Sequence, residues 1–230
     1  MLSTVNLWKE RAHYENAPRV IPLEGFPRRA HFEYFAAMAN PYVGVTVKVD
    51  AGALLHACRA AGTPFSLSVI YCMGRAANAV PQLRQRISRG EILEYPRCDT
   101  SHTVLRPDET YGYCRLNCMQ PFAEFLPEAR ARHAAAQRGE NLEADADETD
   151  LLFLSALPWL HYTALTQPVP HPADSNPRIT WGKYQEEGRR APLPVTLPAN
   201  HALVDGIHMA HFFTHLEAEM ARLAAALQET

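Results

Sequence analysis

A single change of hydrophobic period near the C-terminus constrains the fold most. Residues 193–199 form an apolar run with strand character. From Gly206 onward the apolar residues return at helical spacing, as Met209, Phe212, Leu216, Met220, Leu223 and Leu227. Between the two lies Asn200-His201-Ala202-Leu203-Val204-Asp205-Gly206. A strand that hands over to a long helix across so short a segment exposes a side chain on a rigid base, which suits a general base. The rest of the chain alternates between the same two periods. Val43, Val45, Val47 and Val49 line one face of a strand. Helices are predicted over 28–39, 51–61 (stopped by Gly62-Thr63-Pro64), 65–80 and 121–138 (Pro121 near its first turn). Residues 83–94 read as a hairpin turning at Arg89-Gly90, and 103–105, 111–116, 151–159 and 178–182 as further strands, with 151–159 buried. Pro198, just ahead of His201, marks an edge strand or a bulge.

Strands mixed with long helices predict an α/β domain, an α+β two-layer sandwich with a mixed sheet packed by helices. The 230 residues are 47% hydrophobic and 20% charged, enough for one sizeable core. A single domain over 1–230 is expected, with 1–22 a polar, irregular segment. A net charge of −3 with no basic block argues against nucleic acid as a partner. No window approaches eighteen consecutive apolar residues, and the first ten residues lack an apolar stretch behind basic ones. Neither a membrane span nor a secretory leader is therefore expected.

The cysteines at 58, 72, 98, 114 and 118 are odd in number and form no C-x-x-C, which predicts reduced thiols in a cytoplasmic protein. The acidic stretch 139–150 reads as a solvated loop. His208, His211 and His215 share a helical face but flank the apolar stripe, so they read as a solvated border; Cys114 and Cys118 read as small core residues. No metal is expected.

Four blocks carry chemistry. They are Phe26-Pro27-Arg28-Arg29-Ala30-His31-Phe32-Glu33-Tyr34-Phe35, Leu154-Ser155-Ala156-Leu157-Pro158-Trp159, Ile179-Thr180-Trp181-Gly182-Lys183-Tyr184-Gln185-Glu186-Glu187-Gly188, and His201 to Gly206 followed by Ile207-His208. Their order and spacing resemble the type A chloramphenicol acetyltransferases, from about residue 25 to 222. The resemblance implies a CoA-dependent acyltransferase fold. It also implies acetyl-CoA as co-substrate, a small alcohol as acceptor, and a homotrimer with interfacial active sites.

The resemblance assigns roles to residues. His201 matches the general base that deprotonates the alcohol during direct attack on the thioester, work for which a neutral imidazole is suited. Ser155 matches the oxyanion donor, and Thr180 a threonine that supports the intermediate through a water. Asp205 and Arg28 match a structural ion pair that holds the base loop, so no hydrolase triad is implied. Trp159 and Tyr184, with Thr180, fall where the coenzyme packs. Tyr34, Phe35, Thr103, Tyr111 and Leu142 fall along the acceptor pocket.

The chain also departs from the pattern. Asn200 stands where the first of two histidines is usual, Phe35 where tyrosine is, Tyr111 and Leu142 where phenylalanines are, and Gln167 near an expected leucine. Lost and gained polar groups change which acceptor a buried pocket tolerates. The acceptor is thus open between chloramphenicol and another small alcohol. Two alternatives stand beside this reading. One is a related acyltransferase with a different acceptor or acyl donor, since dihydrolipoamide acyltransferase domains also carry H-x-x-x-D-G. The other is a non-catalytic trimer that binds a ligand between subunits.

Overall fold

A computed structural model of the chain describes residues 16–140 and 149–229. In chain order the elements are β1 (Arg19–Ile21), α1 (Arg29–Ala36), β2 (Tyr42–Asp50), α2 (Gly52–Ala60), α3 (Phe65–Asn78), β3 (Gln85–Ser88), β4 (Glu91–Glu94), β5 (Asp99–Leu105), β6 (Tyr111–Leu116), α4 (Phe122–Gln137), β7 (Leu151–Leu157), β8 (Arg178–Gly182), β9 (Pro192–Asn200) and α5 (Gly206–Gln228). Six strands form a mixed sheet in the order β2-β9-β8-β7-β5-β6; β7 runs parallel to β5 and β8, and the other pairs are antiparallel. A small antiparallel sheet, β1-β4-β3, lies apart from it. Its hairpin turns at Arg89 and Gly90, both with positive φ (51° and 81°), the conformation a tight two-residue hairpin requires.

The main sheet is two-sided, and alternation decides which side is which. Val195 and Leu197 of β9, Ile179 and Trp181 of β8, and Leu152 and Leu154 of β7 join α2, α3 and α5 in one buried core. Of the stripe predicted for helix α5, Met209, Phe212, Leu216, Met220 and Leu223 are buried, and Leu227 is partly buried against the same core. Helix α3 is almost wholly buried, as its apolar composition requires. The alternate residues of each strand point to the opposite face, which no helix among the described residues covers. The segment 158–177 crosses part of that face instead. A Cβ on Gly182 would lie 2.5 Å from Leu160 O and 2.9 Å from Tyr162 Cε1, so only glycine lets the segment settle on the sheet.

Several sequence expectations need correction. Residues 19–21 are not irregular but pair with β4, and a three-residue strand is too short for alternation to show. Leu83 and Arg84 belong to a 3₁₀ turn, Pro81–Arg84, ahead of the hairpin. Strand β5 begins at Asp99, four residues early, because its buried residues Thr100, Ser101 and His102 are polar. Strand β7 is buried only in its first half, and Ser155, Ala156 and Leu157 are partly exposed.

Pro198 makes neither an edge nor a bulge. Strand β9 keeps nine consecutive pairs with β2, Pro198 opposite Gly44 among them, and lies inside the sheet. That unbroken ladder requires its donors to come from the odd-numbered residues of β9, since Pro192, Pro194 and Pro198 have no N–H. The prolines therefore turn their donorless side toward β8, where pairing is limited to Thr180–Thr196 and Trp181–Val195. The five cysteines are free and buried, and burial pushes the Cys118 thiol up to about 12. No helix among the described residues is long and apolar enough to cross a membrane.

Candidate active site

His201 follows the last residue of β9, and the turn around it is tied at each polar atom. Its N–H donates to Pro41 O at 2.7 Å. Asn200 O accepts from the N–H groups of Leu203 and Val204, while Asn200 Oδ1 accepts from Ala202 N–H. Asn200 Nδ2 donates to Asp174 O at 3.0 Å. Asp174 is itself gripped by both Arg178 nitrogens and the Tyr42 hydroxyl. Burial opposes ionisation of Asp174, and those hydrogen bonds outweigh it, so the carboxyl stays below its ordinary value.

The geometry of the imidazole decides its chemistry. Nδ1 of His201 lies 2.9 Å from Val204 O, and a carbonyl can only accept, so Nδ1 carries the proton. Nε2 is then the basic nitrogen. The ring stacks on Phe35, centroids 3.8 Å apart and planes 13° apart, and Tyr34 packs edge-on against Phe35. Arg28 Nη1 donates to Leu203 O at 2.5 Å, and Nη2 reaches Asp205 Oδ2 at 3.4 Å.

Asp205 does not touch the imidazole. It caps α5, accepting from Gly206 N–H at 2.7 Å, and the N–H of Asp205 donates to His208 Nδ1 at 2.9 Å. The Gly206 hydrogen bond holds the Asp205 carboxyl below its ordinary value, with burial opposing and Arg28 assisting. His208 is therefore part of a capping box rather than of a solvated border, and burial, with Arg28 beside it, lowers its pKa. The signal was present in the sequence as a cap residue followed three positions later by an acceptor.

Ser155 stands on the uncovered face of the sheet, in a row that crosses all six strands. Thr46 pairs with Thr196, Thr196 with Thr180, and Thr180 with Ser155. Ser155 Oγ lies 3.2 Å from Thr103 Oγ1, and Thr103 pairs with Tyr113. Directly paired residues share a face, so six hydroxyl-bearing side chains lie in line. Thr46 and Thr196 hydroxyls bond at 2.8 Å, Thr196 donates to Tyr162 Oη, and Tyr162 donates to Thr180 O. Either hydroxyl of the Thr103–Ser155 pair can donate, and where Thr103 does so Ser155 keeps its own proton free.

A family model described as "Chloramphenicol acetyltransferase" matches residues 17–217. The chain belongs to the chloramphenicol acetyltransferase family. As a member it is an enzyme, an acyltransferase. It is 29% identical over 201 residues to "Chloramphenicol acetyltransferase 2" of Escherichia coli, covering 86% of this chain and 94% of the relative. It is 26% identical over 208 residues to a chloramphenicol acetyltransferase of Streptomyces acrimycini, covering 89% and 94%. A solved chloramphenicol acetyltransferase superposes with a TM-score of 0.79 at 27% identity, over 88% of this chain and 99% of that one. The cubic core of a pyruvate dehydrogenase multienzyme complex shares the fold alone, with a TM-score of 0.65 at 18% identity over 85% and 88%.

The residues singled out in the sequence fall into two groups within one chain. Phe35, Tyr34, Arg28 and Asp205 gather around His201, while Thr103 and Thr180 flank Ser155, and Tyr111 lies two strands from Ser155, opposite Leu105. Tyr111 is 56% exposed and packs edge-on against Tyr113, which the sequence reading did not single out. The groups do not meet. Asn200 lies two strands over and four residues along from Ser155, about 16 Å at ordinary sheet spacings. Trp159 and Tyr184 form a third cluster. Trp159 is 63% exposed, beside a depression lined by Pro158, Lys183, Tyr184, Gln185, Glu186 and Glu187. Tyr184 packs against Phe65, and the fork of Arg59 binds both Glu186 oxygens. Leu142 lies outside the described residues.

Proposed function

We propose that the protein transfers the acetyl group of acetyl-CoA to a hydroxyl of a small molecule, with chloramphenicol, named for its relatives, the first acceptor to test. The orientation of His201 carries this reading. Nδ1 is spent on Val204 O, which leaves Nε2 as a base of fixed tautomer. Nε2 takes the proton of the alcohol as its oxygen attacks the thioester carbonyl; the C–O bond forms, and the charge that develops on the carbonyl oxygen is met by the Ser155 hydroxyl. Collapse breaks the C–S bond, and the imidazolium returns its proton to the departing sulfur.

The depression beside Trp159 and Tyr184 suits the coenzyme. Lys183 offers charge to a phosphate, and Arg59 neutralises Glu186. The separation of about 16 Å between Asn200 and Ser155 supports a reading in which a second copy presents His201 to Ser155. Exposed Leu105, Tyr111 and Tyr113 on the uncovered face suit such a contact, and the reading includes a homotrimer. One domain acting in the cytoplasm, where free thiols persist, completes it.

The test is thiol release from acetyl-CoA by the purified protein with and without chloramphenicol, in the intact protein and in His201→Ala. Release that needs chloramphenicol and falls by on the order of 10⁴-fold in the variant is expected. Near-normal turnover by the variant removes His201 from the role of base. Silence with chloramphenicol and with a panel of other small alcohols removes acetyl transfer to an alcohol.

A further inference from the structure

The crossing segment ends on a cluster of charges and rings that reaches the base loop. Asp174 receives Arg178 on both carboxylate oxygens, at 2.9 and 2.7 Å, and the Tyr42 hydroxyl on Oδ1 at 2.6 Å. The guanidinium of Arg178 lies over the rings of Tyr42 and Phe153, 5.8 and 5.4 Å from their centroids. Only 15% of the Arg178 side chain and 29% of the Asp174 side chain meet solvent. A two-pronged ion pair packed on aromatic faces and largely withdrawn from water holds its geometry far better than an exposed one.

What this cluster holds is the turn that carries the base. The Asp174 carbonyl accepts from Asn200 Nδ2, and Asn200 Oδ1 accepts from Ala202 N–H, each at 3.0 Å. The Asn200 amide is thus a staple across the turn, and its far end is fastened to Asp174. A second tie arrives through Tyr42, whose neighbour Pro41 offers the carbonyl that takes His201 N–H at 2.7 Å. Strands β2, β8 and β9 and the crossing segment therefore meet at one carboxylate.

We infer that Asp174 is a positioning residue for the base: through Asn200 it fixes the turn on which His201 holds Nδ1 against Val204 O and so keeps Nε2 basic. The inference rests on the acetyl-transfer reading above for its effect on turnover, while its effect on the imidazole is read without turnover. With the carboxylate gone, Arg178 and Tyr42 lose the acceptor they share, the backbone at 174 is released, and the staple has nothing fixed to grip. Nδ1 then leaves Val204 O part of the time, and an imidazole so freed exchanges its proton between both nitrogens. Only the form protonated at Nδ1 offers a base at Nε2.

The test compares the intact protein with Asp174→Ala, Asn200→Ala, the double variant and Asp174→Asn. Nitrogen NMR of histidine-labelled protein, with His201 assigned by its loss in His201→Ala, reads the tautomer. Thiol release from acetyl-CoA with chloramphenicol reads turnover. The intact protein is expected to show the Nδ1–H form alone, and each alanine variant a mixture of both forms. Each alanine variant should also lose about tenfold in kcat, the worth of one hydrogen bond, with both KM values within about twofold. The double variant should be no worse than about the poorer single one, because both changes remove the same tie. Asp174→Asn keeps a side-chain oxygen for Tyr42 or Arg178 and should stay within about threefold of the intact protein.

Losses that multiply in the double variant, a fall carried by KM rather than kcat, or an unchanged tautomer in Asn200→Ala overturn the inference and leave acetyl transfer standing. If Asp174→Ala fails to fold, Asn200→Ala still decides: a mixed tautomer there supports the staple and a single one overturns it. Mixed tautomers in the variants, with no thiol release from the intact protein on any small alcohol, support the positioning and overturn the transfer. A single tautomer throughout and no release overturn both.

Discussion

Around His201 the chain makes its own hydrogen bonds. The backbone N–H, Nδ1, both ends of the Asn200 amide and the carbonyl of Leu203 all have partners inside one subunit. Around Ser155 the chain holds back. Ser155 leans on Thr103 and Thr180 on Gln167, and neither hydroxyl has a second side-chain partner among the described residues. A base must have one tautomer and one position before any ligand arrives, so internal bonds serve it. A surface that receives an oxyanion and an alcohol must keep donors and acceptors uncommitted. The two groups are thus finished to different degrees, and on the function proposed above the unfinished one is the one left for a ligand and a second copy to complete.

The strongest way to break that comparison is to separate the halves genetically. His201→Ala and Ser155→Ala are each expected to be nearly inactive, yet co-assembled trimers should regain about a quarter of full activity, because about one interface in four then pairs an intact histidine with an intact serine. No recovery in properly mixed trimers places both groups in a site within one chain. Next in size, Ser155→Ala alone should lower kcat by on the order of 10²–10³ with acceptor KM and melting temperature little changed. A large rise in KM with kcat intact makes Ser155 a wall of the pocket instead.

The base loop should respond in the opposite manner. Arg28→Ala strips donors from Leu203 O and Asp205 and is expected to cost about 1–2 kcal/mol of stability along with about tenfold in kcat. A normal melting curve with lost activity contradicts a structural role for the arginine.

The smallest effect concerns the core and leaves activity at neutral pH alone. Burial, with His133 beside it, pushes His102 from 6.5 down to about 3. The unfolded chain then binds a proton that the folded one refuses. Stability is complete above about 6.5 and falls as pH drops toward 3, and His102→Gln should flatten that slope in acid titrations followed by circular dichroism. An unchanged slope means that His102 protonates as readily folded as unfolded.

The elements that were legible in the sequence are those with a clean period. The α5 stripe needed only helical spacing, the α3 run only its apolar length and the 178–182 strand only its strand character, and the four blocks needed only order and spacing. Strand β5 was hidden because polar Thr100, Ser101 and His102 are the residues it buries. The hydroxyl row was hidden for a deeper reason. Thr46, Thr103, Ser155, Thr180 and Thr196 are scattered over 150 positions, and only strand register makes them neighbours. Tyr113 follows from the same register. The division of the site into two groups likewise depends on where strands pair, which no local pattern states.

The prolines of β9 have a consequence for how the base is delivered. With Pro192, Pro194 and Pro198 all turned toward β8, sliding β9 by one residue against β2 would carry donorless positions into a ladder that has none to spare. The strand works as a key cut for one position of the lock. A histidine mounted at its tip has a single address along the sheet, set by residues that never approach a substrate.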